Sequence, residues 1–297
     1  MSTQPKLMSD IEGMANTAPD LSRRGFFMTA SAAAAAGYTL AAGPVRAQVI
    51  TTDTSGLAAA NGTIKVQDGE MPCYVAAPMG VSKPPIIIVA PEIFGLHEYI
   101  KDVVRRLAKL GALAVAPDYY FRKGDLTKIT EIPQLMPLVN AKSDAELVSD
   151  LNATVEWAKA GSAGDPNRLG IVGFCRGGRT VWIYAASNPN LKAGVAFYGP
   201  VGDNPSPAMP KNATALASEM KAPVLGLYGE ADQGIPVAQL DAMKAALQAA
   251  GKTFDFKIYP GAPHGFHADY RPSYRKDVAE DAWNQMTAWF KKYKVLS

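Results

Sequence analysis

The stretch LGIVGFCRGGRT, residues 169–180, constrains this chain more than any other. An apolar run stops on Gly173-Phe174-Cys175-Arg176-Gly177 and resumes in residues a helix accepts. That pattern predicts a buried strand, a sharp turn and a helix, with Cys175 at the turn. Such a turn pushes its central side chain out above a sheet, and glycines on both sides let the backbones approach. Alone, G-x-C-x-G is equally an ordinary glycine-rich turn holding a buried thiol, so its meaning depends on what the other strand ends carry.

Strand and helix patterns alternate along the rest of the chain. Residues 63–67 alternate and 73–77 follow Asp68-Gly69, which predicts an antiparallel pair containing Cys73. Residues 85–90 form a continuous β-branched run, the profile of a strand covered on both faces, and lead into Pro91-Glu92-Ile93-Phe94-Gly95. Ile100, Val103, Val104 and Leu107 mark a helix over 99–110 closed by Gly111. The strand at 112–116 then runs into Pro117-Asp118-Tyr119-Tyr120-Phe121-Arg122. Ser143-Asp144-Ala145-Glu146 is a capping box, with Leu147, Leu151, Val155 and Ala158 at helical spacing behind it. Beyond Cys175 the pattern predicts a helix over 180–186, strands over 193–198 and 223–228, a helix over 235–250, a strand over 253–259 and an amphipathic helix over 278–293. The alternation predicts an α/β protein with a mostly parallel central sheet flanked by helices on both faces, its ligand sites off the carboxyl ends of the strands.

Three of those ends carry Cys175, Asp232 and His264, the chain order nucleophile, acid, base. A thiol near its reference pKa of about 8.5 is little ionised at neutral pH, so an imidazole must take its proton and a carboxylate must fix the imidazole tautomer. His264 and His267 could instead suggest a metal pair, but the chain has three histidines and no cysteine or carboxylate cluster at ligand spacing around them. The reading therefore calls for no metal and no cofactor.

At 297 residues and 48% apolar content the chain can bury a large core. Basic residues are interleaved with acidic ones at a net charge of +3, which argues against a nucleic-acid partner. Two cysteines exclude a disulfide framework. The first 47 residues read as an address: Ser22-Arg23-Arg24-Gly25-Phe26-Phe27-Met28 precedes a soft alanine-rich stretch that closes on Val45-Arg46-Ala47, resembling a twin-arginine export signal with Met28 where lysine is common. The expected organisation is a signal peptide at 1–47, a tether at 48–61 and one catalytic domain at 62–297. Export in the folded state to the periplasm, through the twin-arginine machinery, would deliver Cys73 and Cys175 as free thiols. No long apolar run follows the signal, so the mature domain is not expected to insert in a membrane.

The blocks Pro91-Glu92-Ile93-Phe94-Gly95, Pro117-Asp118-x-Tyr120-x-Arg122, Gly173-Phe174-Cys175-Arg176-Gly177-Gly178, Asp232 and His264-Gly265-Phe266 occur in this order over about residues 60–295. Together they resemble the dienelactone hydrolase family, of α/β-hydrolase fold. The resemblance implies that Cys175 attacks an ester or lactone carbonyl with His264 and Asp232 behind it, through a thioester. It implies an oxyanion hole from the N–H groups of Ile93 and Arg176, and a Glu92 that contacts and helps to activate the thiol. It also implies that Arg122, with Tyr120 beside it, holds a substrate carboxylate. A second family arginine, four positions after the histidine, is Ala268 here, with Arg271 close but out of register; dienelactone itself is therefore a doubtful substrate. Other expectations compatible with the sequence are a different acyl-transfer hydrolase on the same fold or a non-catalytic binding or redox module built on an oxidisable Cys175.

Overall fold

The computed structural model describes residues 50–160 and 163–297. The export-signal motif at Arg23-Arg24 and the cleavage site at Ala47 lie outside the described residues. Eight strands form one sheet: β1 (Leu57–Val66), β2 (Gly69–Pro78), β3 (Pro85–Ala90), β4 (Leu113–Pro117), β5 (Asp165–Phe174), β6 (Ala193–Phe197), β7 (Val224–Gly229) and β8 (Phe254–Tyr259). Their order is β1-β2-β4-β3-β5-β6-β7-β8. β1 pairs antiparallel with β2 and β2 with β4, and every other pairing is parallel. The helices are α1 (Glu98–Lys109), α2 (Ile132–Asn140), α3 (Asp144–Lys159), α4 (Arg176–Ser187), α5 (Val237–Ala249) and α6 (Lys276–Lys292).

Residues 85–90 are all buried, as a strand covered on both faces requires. The two faces can be told apart on β5, because successive side chains point oppositely. A Cβ on Gly170 would meet Phe290 of α6 and Val295 behind it, whereas Ile171 and the neighbouring Gly194 face Val181 of α4. The sheet is thus sandwiched between α6 and α4, and the parallel register brings the ends of β3, β5 and β6 to one edge. Parallel pairing, through crossover helices, is what collects distant loops along that edge.

Two expectations need correction. The tether at 48–61 is part of the domain from its described start: Ile50 N–H donates to Asp269 Oδ2 (3.2 Å), Thr52 N–H donates to Asp102 Oδ1 (2.6 Å), and β1 begins at Leu57 rather than in the sixties. These anchors are main-chain groups bound to carboxylates far away in sequence, so no side-chain period announces them. The capping box at Ser143 forms by half. Its hydroxyl accepts from Glu146 N–H (3.1 Å), but the Glu146 carboxylate turns to Lys142 (2.6 Å) and Arg122 (3.0 Å).

Candidate active site

The elbow at Cys175 is built by close backbone packing. Cys175 has φ 55° and ψ −119°, a left-handed conformation that costs a non-glycine residue about 1–3 kcal/mol and is over-determined by its surroundings. Its N–H extends the β5–β6 ladder to Phe197 O (3.0 Å), and its carbonyl accepts from Gly178 N–H (2.9 Å) at the start of α4. A Cβ on Gly173 would lie 2.0 Å from Gly177 O, and one on Gly177 2.1 Å from Ala90 O. Both glycines are therefore required by approach, β5 to α4 and α4 to β3.

Asp232 and His264 converge beside the thiol. Asp232 Oδ1 accepts from the N–H groups of Gly234 (2.9 Å) and Ile235 (3.2 Å), while Oδ2 lies 2.6 Å from His264 Nδ1. With Nδ1 so engaged, Nε2 is the ring nitrogen left for Cys175, whose side chain is close enough to raise the His264 pKa. Burial disfavours the charged imidazole, but the bonds to Asp232 and Cys175 and their charges outweigh it and raise His264 above the ordinary histidine range. Its ring stands edge-on to Tyr198 at 5.0 Å. Tyr198 is itself held at φ 38° just past β6, so two strained residues adjoin at the site.

Glu92 is fully buried. Tyr270 O–H donates to its Oε2 (2.6 Å), His97 Nε2 lies 3.2 Å from the same oxygen, and Arg271 Nη2 lies 3.8 Å from Oε1. Burial would raise this carboxyl, but the Arg271 charge and the bonds to His97 and Tyr270 hold it down at about 2. These partners, and not the thiol, are the contacts Glu92 makes in this structure, and among the described residues its Oε1 accepts no hydrogen bond. Tyr120 is buried close enough to Cys175 that, besides burial, the charge of that residue raises the phenol. Ile93 follows Glu92, and Arg176 opens α4, where the first N–H groups have no intrahelical partner.

Arg122 stands differently from expectation. Its guanidinium pairs with Asp68 (2.5 and 2.7 Å), with Asp150 (2.8 and 3.0 Å) and with Glu146 (3.0 Å). The fork is consumed by three carboxylates of its own chain, and the sequence could not show this because Asp68 and Asp150 lie 54 and 28 residues away. A second arginine, Arg271, lies nearer the catalytic groups, with its Nε donating to Tyr270 Oη (3.0 Å) and its Nη2 3.8 Å from Glu92 Oε1. Turns from Ala268 N–H to Gly265 O and from Arg271 N–H to Ala268 O fold the chain back after His264. They bury Ala268 and bring Arg271 over Phe94 (4.9 Å) and Tyr270 (5.2 Å), within electrostatic reach of Cys175. Counting positions from the histidine misses this arginine, which the sequence showed only as close but out of register. His97 and Tyr198 gave no sequence signal.

His267, the other member of the suggested metal pair, bonds Tyr99 O–H at 2.6 Å inside the core, where burial pushes it down to about 3. Among the described residues, no group of three or more His, Cys, Asp or Glu is arranged to hold a metal ion. A cavity of about 520 Å³ is lined by Thr52, Arg106, His267 and Trp283 and not by Cys175, Asp232, His264 or Glu92. Cys73 is a free, buried thiol in β2, pushed by burial up to about 12. Cys175 is free as well. Two strands separate β2 from β5, so the cysteines are about 14 Å apart across the sheet, beyond the reach of about 7 Å that a disulfide allows.

An elbow cysteine joined to a histidine and a buried carboxylate at the carboxyl edge of such a sheet can be compared with known proteins. Residues 71–294 match the model of the dienelactone hydrolase family. The chain belongs to the dienelactone hydrolase family. It is 53% identical over 277 residues to a Methylorubrum extorquens protein carried as "Putative carboxymethylenebutenolidase", covering 93% of this chain and 94% of that one. A Bradyrhizobium protein carried as "Probable 2-oxo-3-(5-oxofuran-2-ylidene)propanoate lactonase" is 33% identical over 216 residues, 71% of this chain and 85% of that one. Among solved structures, a Klebsiella pneumoniae protein described as a "Putative Dienelactone Hydrolase" superposes with a TM-score of 0.78 at 46% identity, over 80% of this chain and 99% of that one. Membership makes the chain an enzyme, a dienelactone hydrolase-like hydrolase of ester or lactone bonds.

Proposed function

We propose that this hydrolase opens a small lactone or carboxylic ester through a Cys175 thioester, carboxymethylenebutenolidase-type chemistry being one form of it. The observation that carries the reading is the contact of Asp232 Oδ2 with His264 Nδ1 at 2.6 Å, on a ring that also feels the Cys175 side chain at the elbow. Cys175 Sγ attacks the carbonyl carbon while its proton passes to His264 Nε2, and the oxyanion is held by the N–H groups of Ile93 and Arg176. The C–O bond then breaks, and the imidazolium gives its proton to the leaving oxygen. Water, deprotonated by the same imidazole, adds to the thioester and releases acid and free thiol. Asp232 has both oxygens committed, so it keeps His264 in the tautomer that accepts at Nε2.

Glu92 and Arg271 extend the reading to substrates bearing a negative charge. A carboxylate bound by Arg271 would loosen its hold on Glu92 Oε1, which then becomes free to turn toward the thiol. Twin-arginine export, with action in the periplasm, belongs to the same proposal; its support is the order of Arg23-Arg24, the alanine stretch and Val45-Arg46-Ala47. The test of the hydrolase is turnover of aryl esters and lactones by wild type and Cys175→Ala. Turnover should vanish in the variant while its circular dichroism and Tm stay native, and undiminished hydrolysis would sink the nucleophile assignment.

A further inference from the structure

Tyr119 is an open position in the block Pro117-Asp118-x-Tyr120-x-Arg122, and the fold gives it a task. It stands just past β4, fully buried, with its ring against Tyr120 at 4.8 Å. The hydroxyl donates to Pro91 O (3.0 Å), the first carbonyl past β3. From the other side Thr180 Oγ1 of α4 lies 3.5 Å away, and that threonine hydroxyl donates to Arg176 O (3.3 Å). A buried tyrosine hydroxyl as a rule finds a partner. This one joins the two segments that carry the N–H groups of Ile93 and Arg176.

The Ile93 N–H belongs to the peptide unit whose carbonyl is Glu92 O. That carbonyl accepts from Gly95 N–H (3.3 Å), so the Ile93 N–H, trans to it, points the opposite way. The preceding peptide unit carries Pro91 O, and Tyr119 therefore fixes the plane from which this turn starts. The Arg176 side of the junction is equally close: a Cβ on Gly177 would lie 2.7 Å from Pro91 O, and Thr180 links the Arg176 carbonyl to the Tyr119 hydroxyl. We infer that Tyr119 is a positioning residue for the oxyanion hole, its hydroxyl setting the spacing between the Ile93 and Arg176 N–H groups without touching substrate. The inference rests on the reading of Cys175 as the nucleophile of an ester hydrolase. Misplaced donors lose most where charge develops, so the loss falls on addition to a carbonyl. Alkylation of the same thiol by iodoacetamide makes no such demand. There the S–C bond forms as the C–I bond breaks, iodide leaves with its electron pair, the thiol proton goes to His264, and no tetrahedral oxyanion arises.

The two reactions of Cys175 supply the test. Tyr119→Phe removes one oxygen atom and keeps the ring. It should lower kcat/KM for p-nitrophenyl acetate by about 10- to 100-fold, the range expected when oxyanion donors are displaced rather than deleted. The rate of Cys175 alkylation by iodoacetamide, followed by peptide mass spectrometry so that the buried Cys73 is scored separately, should stay at the wild-type value. Unchanged ester turnover overturns the inference. An equal fall in both rates also overturns it, because the hydroxyl then supports the thiol or the fold as a whole. Should Tyr119→Phe not fold, Thr180→Val carries the same comparison from the α4 side, with the same two overturning results. Ester turnover absent from wild type, or surviving in Cys175→Ala, would instead bring down the hydrolase reading, and these two controls are measured first.

Discussion

Glu92 is a carboxylate with one oxygen saturated by Tyr270 and His97 and the other facing Arg271 at 3.8 Å. Because its partners hold it down at about 2, against an ordinary 4.5, it is ionised at every pH where the enzyme would work. The sign of its linkage follows: a depressed carboxyl stabilises the fold above the unfolded pKa, and that stability is lost as pH falls from about 4.5 toward 2. Glu92→Gln should remove this acid-side dependence of Tm, lower kcat by about 10²-fold if the carboxylate takes part in proton transfer, and reshape the pH–rate profile. An unaltered profile would leave Glu92 a packing partner of Arg271. The residue types at Cys175, Asp232, His264 and Glu92 were legible in the sequence because each terminates a strongly apolar or alternating strand. The partners of Glu92 were not, since His97 and Tyr270 meet it across 5 and 178 residues through packing alone.

At the scale of elements, Arg122 ties the β1–β2 turn to α3. Asp68, Glu146 and Asp150 converge on it, with Lys142 also bonded to Glu146 and Asp150. Asp150 is almost completely buried, so removing the guanidinium leaves a desolvated carboxylate with Lys142 as its remaining cation. Arg122→Ala should therefore cost about 1–3 kcal/mol in urea denaturation with the charged-to-neutral ester preference intact; a stable variant with altered preference would return Arg122 to substrate binding. Among the helices, α2 was absent from the sequence pattern. It begins with Pro133 in its first turn, where no N–H is needed, and buries only Leu135 and Val139, a stripe too narrow to read across Pro137. The strand pairs, by contrast, were visible as apolar runs, and β1 escaped only where an edge strand of small residues pairs by its backbone.

On the scale of the whole molecule, charge buried by tertiary packing shapes the response to pH. Asp118, past the end of β4, is pushed up by burial from 3.8 to about 6. A raised carboxyl binds its proton more tightly in the folded state, so folding stability falls as pH rises from about 4 to 6. Asp118→Asn should be more stable than wild type at pH 7, with the advantage fading below pH 4; a Tm difference independent of pH would refute this. Export gives a second whole-chain prediction: Arg23→Lys with Arg24→Lys should hold the protein in the cytoplasm, whereas periplasmic wild type should begin near Gln48 and show two free thiols by mass spectrometry. A Cys73–Cys175 bridge in active material would contradict both the export route and the nucleophile. The sequence by itself determined the alternation of elements, the elbow at Cys175 and the chemistry at the strand ends, because hydrophobic period, glycine and strand termini are local properties. Only the tertiary structure decided which carboxylates each arginine meets. Arg122 is held by Asp68, Glu146 and Asp150 while Arg271 faces Glu92 at 3.8 Å, because carboxylates distant in sequence reach each guanidinium only through the fold.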